Sequence, residues 1–205
     1  MNEEIVKIVT AVALGIGLSA STGFRVFIPM LIASLAAKFG VFHPTGSFEW
    51  LGSLPAIIAF GSATVVEIAA YYIPFVDNLL DSITTPLSVG AGTLLMTSVL
   101  PIDNELMKWI TGFIVGGGAA ATIQGGSVLT RLTSSKFTAG TGNHVLATGE
   151  NVAAVSTASL SFVIPIIIAL LFIGLFILTF KKLFSWIKKR KLKKQTQANA
   201  TKIPS

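Results

Sequence analysis

The chain has 205 residues, 52% of them hydrophobic and only 12% charged, with a mean hydropathy of +0.78. That balance excludes an ordinary soluble domain and predicts an all-α, polytopic transmembrane helical bundle. The absence of cysteine excludes disulfides, thiolate metal sites and a cysteine nucleophile.

The amino terminus, MNEEIVK, carries two acids where a signal peptide would be positive, so no cleavage is expected. From Ile5 to Phe39 the chain is apolar for a length that would make roughly 50 Å of helix, well beyond a hydrocarbon core of about 30 Å. The segment GLSASTGFRVFIP, with its small residues, Arg25 and Pro29, predicts a break near residues 21–29. The second piece, about 24–39, is then either a full span or a short or re-entrant helix. Arg25 has two readings: partner of a buried carboxylate, or a side chain snorkelling to an interface from a helix end.

Residues 40–54 combine Gly, Pro and polar residues with Phe42, Phe48 and Trp50, as an interfacial loop with an aromatic belt would. His43 there has no second ligand at metal spacing.

The most informative stretch is 61–90, GSATVVEIAAYYIPFVDNLLDSITTPLSVG. A charge at the bilayer centre costs on the order of 2.5–3.5 kcal/mol, so Glu67, Asp77 and Asp81 must be neutralised, paired or hydrated. Pro74 predicts a helix break, and Pro86 closes a short piece over 74–86 that reads as a half-helix, re-entrant turn or connector. Asp77 and Asp81, at i and i+4, share a face if this piece is helical, which favours a shared proton or cation. On an uninterrupted helix Glu67, Tyr71, Asn78 and Asp81 would share a face, with Tyr71 able to donate to Glu67.

Residues 87–100 are barely long enough to span. A further span, about 106–129, is rich in small residues, and Gly112 with Gly116 reads first as a packing seam. Residues 130–151 form the longest polar connection, with Arg131, His144 and Glu150. Folded inward, this loop would place Arg131 or Glu150 beside Glu67 or Asp81; otherwise Glu150 is a first-turn acid favoured by the dipole of the last helix. The last run, 152–180, is interrupted only by Pro165, so a long, tilted or kinked span is expected. The total is five spans or six. VEIAA at 66–70 and ENVAA at 150–154 hint at a duplicated half.

Beyond Phe180 the character changes. Lys181, Lys182, Lys188, Lys189, Arg190, Lys191, Lys193, Lys194 and Lys202 carry nine positive charges with no acid among them, leaving six basic residues against nine acids in residues 1–180. The domain division is therefore a transmembrane helical domain, 1–180, and a basic, partly disordered tail, 181–205. By the positive-inside rule the tail lies in the cytoplasm and the chain in the inner (cytoplasmic) membrane, with Trp186 near the headgroups and anionic lipid as the tail's partner. The overall charge of +6 belongs to that tail and does not argue for nucleic acid.

The words GLSASTGFRVFIPML at 17–31, EWLGSLPAII at 49–58 and VEIAAYYIPFVDNLLDSI at 66–83, with a looser match from Arg131 through Glu150 to Pro165, resemble a bacterial membrane family, DUF4126. The resemblance covers about 10–170 and implies a multi-span membrane domain without an assigned activity.

Three functions fit these residues. The first is a transporter or channel for a small cation or proton-coupled solute, with Glu67, Asp77 and Asp81 handling the ion, Arg25 or Arg131 as charge partner, and Tyr71, Asn78 and Glu150 in the pathway. The second is a non-transport protein binding a lipid or protein partner, its acids serving as polar contacts among helices. The third is intramembrane acid/base hydrolysis by the paired aspartates, which lacks any accompanying nucleophile elbow or HExxH signature. No cofactor is expected, and a homo-oligomer is compatible with the composition.

Overall fold

The computed structural model describes residues 2–138 and 141–200, with the side chains at 2, 74, 75, 77, 78, 183, 186, 187 and from 189 onward outside that description. Eight α-helices are present among them: α1 Asn2–Ser21, α2 Phe27–Lys38, α3 Leu54–Tyr71, α4 Pro74–Val99, α5 Glu105–Thr111, α6 Gly118–Thr138, α7 Asn143–Val163 and α8 Pro165–Ala200. A 3-10 turn, Gly46–Gly52, precedes α3, and a π-helical segment, Gly112–Gly117, joins α5 to α6 in one run. Among the described residues, five stretches are long and apolar enough to cross a membrane: Glu3–Ser21, Leu54–Tyr71, Leu79–Val99, Glu105–Thr138 and Pro165–Lys182. Their outward faces keep large apolar side chains such as Val65, Val66, Leu129 and Leu170 exposed, a surface suited to lipid rather than water.

The chain divides into two compact units, Met1–Phe172 and Ile173–Ser205. In the second, α8 continues through the basic run, with Phe176, Phe180 and Phe184 stacked along it at ring separations of 4.5 and 6.4 Å. Helix reaches Ala200, where the sequence suggested a partly disordered tail over 181–205; Trp186 falls outside the described side chains.

In the first unit, α1 and α2 form a hairpin. Thr45, just beyond α2, bonds through its amide to the Ser98 carbonyl at 2.7 Å, and Val6, Lys7 and Thr10 of α1 line a cavity with Phe42, His43 and Val99. The start of α1 and the end of α2 therefore share the end of the bundle where α4 finishes. The hairpin tip lies deep inside: the Thr22 hydroxyl oxygen lies 3.1 Å from the carbonyl of Ser88, near the middle of α4. At the end of α1 the Ser21 and Thr22 hydroxyls bond back to the Leu18 and Ser19 carbonyls at 2.6 and 2.7 Å, satisfying acceptors of the last turn. At the opposite end, the α3–α4 connection meets the first turns of α7, with Tyr72 bonding Thr148 at 2.8 Å and its carbonyl lying 3.2 Å from His144 Nε2.

Four expectations are corrected here. No separate piece spans 74–86: the helix does break at Pro74, which takes the first position of α4, but α4 then runs through Pro86 to Val99. A proline inside a helix costs about 3 kcal/mol, and packing of α4 against both α1 and the π-helical segment outweighs it. Residues 130–151 are mostly helix, because Thr130, Thr133, Thr138 and Thr148 bond their hydroxyls to carbonyls one turn back and so use up their polarity locally. Pro165 separates two helices instead of kinking one; Ile164 leaves helical geometry at φ −133° and ψ 58°. The aromatic loop is also less exposed than a belt would be, with Phe42 and Phe48 buried in a cluster with Leu18, Met30, Leu51 and Leu95, and Trp50 left outside.

The glycine seam is a close helix contact. A side chain on Gly116 would begin 2.5 Å from Met96 Cβ and closer still to the Gly92 carbonyl oxygen, while one on Gly118 would have nothing within 4 Å. We expect Gly116→Ala to lower stability by about 1–3 kcal/mol through overpacking, and Gly118→Ala to stay within about 0.5 kcal/mol of the parent; thermal unfolding of the detergent-purified proteins measures both.

Candidate functional site

At the hairpin tip, helix ends and helix middles bring charges together. Asp81, Arg131 and Glu150 each stand about two turns, roughly 10 Å, from the end of the bundle where α3 meets α4 and α6 meets α7. Arg25 reaches the same level from the tip. Arg25, Glu67, Tyr71, Arg131 and Glu150 are all buried, Arg25 to within 1% of complete.

Glu150 is the centre. Its Oε2 accepts from Arg25 Nη1 at 2.8 Å and from Arg131 Nη2, and its Oε1 accepts from Arg131 Nε at 3.3 Å and from the Ser127 hydroxyl. Arg25 is completed by Asn151 Oδ1 at 2.6 Å and by the carbonyls of Ala147 and Phe24, both at 3.1 Å. Arg131 Nη1 also faces Asp81 Oδ1 at 3.4 Å.

Tyr71 binds the two arginines together. Their guanidinium carbons lie 3.8 Å (Arg25) and 4.1 Å (Arg131) from the centre of its ring, close enough for cation–π attraction. The Tyr71 hydroxyl lies 3.0 Å from Thr84 Oγ1 and donates to Asp81 Oδ1 at 3.3 Å, and Gln124 Nε2 donates to the same Thr84 oxygen at 3.2 Å.

Glu67 stands apart from the ion pairs. Its two oxygens accept the amides of Val26 and Phe27, at 2.8 and 3.0 Å, which are the first donors of α2. A carboxylate is well placed there, since the start of a helix offers unpaired N–H groups and positive potential. The expected Tyr71 to Glu67 bond is not formed, because the helix ends at Tyr71 and the phenol turns to α4.

The sequence reading thus meets the structure unevenly. Arg25 is buried, so snorkelling is overturned, and its carboxylate partner is Glu150 instead of an acid of the 61–90 stretch. Glu150 is no first-turn acid, lying about two turns into α7, and the inward reading of its segment holds, since Arg131 does meet Asp81. Asp77 and Asn78 lie on α4 with side chains outside the described set. Reasoning from sequence missed Ser127, Gln124, Thr84 and Asn151; an i+4 step from Ser127 to Arg131 and an i+3 step from Asp81 to Thr84 were the available signals. Among the described residues no group of three or more His, Asp or Glu could hold a metal.

A family model described as a domain of unknown function, DUF4126, matches residues 12–184. The chain belongs to the DUF4126 family. Every residue of the charged cluster falls inside the matched segment, as do both arms of the hairpin from residue 12 onward. No curated protein and no solved structure matches the chain. What the membership and the five apolar stretches establish is a helical membrane protein of this family.

Removing one member of a buried ion pair typically costs about 3–5 kcal/mol, because the partner charge is left uncompensated. Glu150→Gln removes the carboxylate shared by Arg25 and Arg131 and is expected to fall in that range. Glu67→Gln keeps one acceptor for two backbone amides and is expected to lose only about 1–3 kcal/mol. Thermal unfolding of the two variants side by side checks the order, which reverses if Glu67 is the true anchor of the cluster.

Proposed function

We propose that this DUF4126 protein moves a small cation or a proton-coupled solute across the membrane, with Asp81 and Glu150 as the carboxylates that respond to it. The carrying observation is a charge count at a broken helix. Among the described side chains near the hairpin tip there are two arginines, paired with Glu150 and Asp81, and a third carboxylate, Glu67, held by the amides of Val26 and Phe27. Fully ionised, the group holds one excess negative charge, which one proton or monovalent cation would neutralise.

Two further features support the reading. Embedded ionisable groups are costly, and in membrane proteins they commonly mark ion pathways. Discontinuous helices whose inner ends meet near the middle of the bundle are the usual construction of secondary-transporter sites. In this arrangement an ion arriving at Asp81 competes with Arg131, and Arg131 is also bound to Glu150; occupancy at α4 is therefore coupled to the contacts of α6 with α7. The setting is the cytoplasmic membrane, with the basic run after Phe180 on the cytoplasmic side, against anionic lipid.

A non-transport reading has one observation in its favour: every carboxylate of the cluster already has donors, as polar contacts between helices would. Flux separates the two. With the full chain in liposomes, a gradient of H+, Na+ or K+ is expected to drive measurable flux, and Asp81→Asn, which is close in shape, is expected to reduce it about tenfold or more. A folded, correctly incorporated parent that passes none of these ions would remove the transport reading and leave lipid or protein binding.

A further inference from the structure

At the end of the bundle where α4 gives way to α5, Lys108 is only 3% exposed. A lysine at a membrane edge ordinarily buries its stem and keeps its ammonium in water. Here the ammonium has the Phe48 ring at 5.5 Å and, among the described residues, neither a hydrogen-bond acceptor nor a carboxylate at ion-pairing distance. The ammonium nitrogen is not fully enclosed, so its three donors open toward the surface without a protein acceptor among the described residues.

The neighbouring backbone leaves room beside it. Gly46 adopts φ +57°, and an atom at the start of a side chain there would lie 3.7 Å from Lys108 Nζ and 4.0 Å from Glu105 Oε1. A positive and a negative group therefore border the same bare patch of backbone. Exposed Leu106, Met107 and Trp109 flank it, and Trp109 packs on Phe48 at a ring separation of 5.6 Å. Tryptophan beside exposed aliphatic side chains is the composition of a headgroup-level surface.

We propose that Lys108, Glu105 and the bare face of Gly46 form a headgroup site for a phospholipid carrying both a phosphate and a primary ammonium, as in the ethanolamine class. The phosphate takes the Lys108 ammonium and the lipid's ammonium donates to the Glu105 carboxylate. A choline headgroup has no N–H to donate, and a glycerol headgroup has no cation to meet the carboxylate. The site is independent of the charged cluster and of any transport.

Native mass spectrometry of the full chain from micelles holding equal phosphatidylethanolamine, phosphatidylglycerol and phosphatidylcholine tests the assignment. The parent is expected to retain the ethanolamine lipid about tenfold over the other two, the scale of one charge-assisted hydrogen bond. Glu105→Gln, at an exposed position, should abolish that preference while keeping phospholipid bound, and Lys108→Met should lose all three lipids. An unchanged lipid profile in Lys108→Met overturns the proposal, as does a parent without ethanolamine preference. Displacement of the lipid by equimolar soluble phosphoethanolamine or inorganic phosphate would assign the site to a water-soluble ligand and overturn the lipid.

Discussion

The structure depends on one carboxylate shared by two buried guanidiniums. Glu150 sits on α7, Arg25 on the α1–α2 connection and Arg131 on α6, so a single group fixes three parts of the chain that are distant in sequence. Each charge alone would be untenable in a low-dielectric interior, where an unpaired ion costs several kcal/mol. Together they are mutually obligatory, and Tyr71 between the arginines and Asp81 beside Arg131 extend the same constraint to α3 and α4.

Opposite the charges stands a contact of another kind. Along Gly92, Gly112, Gly116 and Gly117, α4 and the π-helical segment approach until backbone meets backbone and side chain. Lipid offers no hydrophobic drive for helices to associate, so close van der Waals packing at small residues must supply it. The polar cluster fixes which helices meet, and the glycine seam fixes how near α4 comes to its neighbour. The π-helical widening falls within the seam itself, among its glycines.

Much of this was legible in the residues. Hydropathy showed a helical membrane bundle, the cost of buried charge singled out Glu67 and Asp81, and the break at Arg25 followed from excess length and small residues. The partners were harder to see. Glu150 lies in a segment whose Ser, Thr and Gly content suggested a loop, because composition does not reveal that hydroxyls will bond their own helix. Pro86 suggested an ending for the same reason: local propensity carries no information about the packing that keeps α4 intact. Glu67 was recognised as important and given the wrong partner, since only the fold brings the amides of Val26 and Phe27 to it.

The separation of Arg25 from Glu150 along the chain has a consequence for biogenesis. The hairpin leaves the ribosome before α7 and carries a permanent cation at its tip, while the carboxylate that neutralises it follows 125 residues later. Glu67, which takes the first amides of α2, follows about 40 residues after them. Until α3 and then α7 arrive, the tip has neither its cap nor its counterion, and it can rest only where water or an insertion factor keeps it solvated. Final seating of the first two helices is thus deferred to a late step of synthesis, so a chain truncated before α7 would hold its earliest segment in a place it cannot keep.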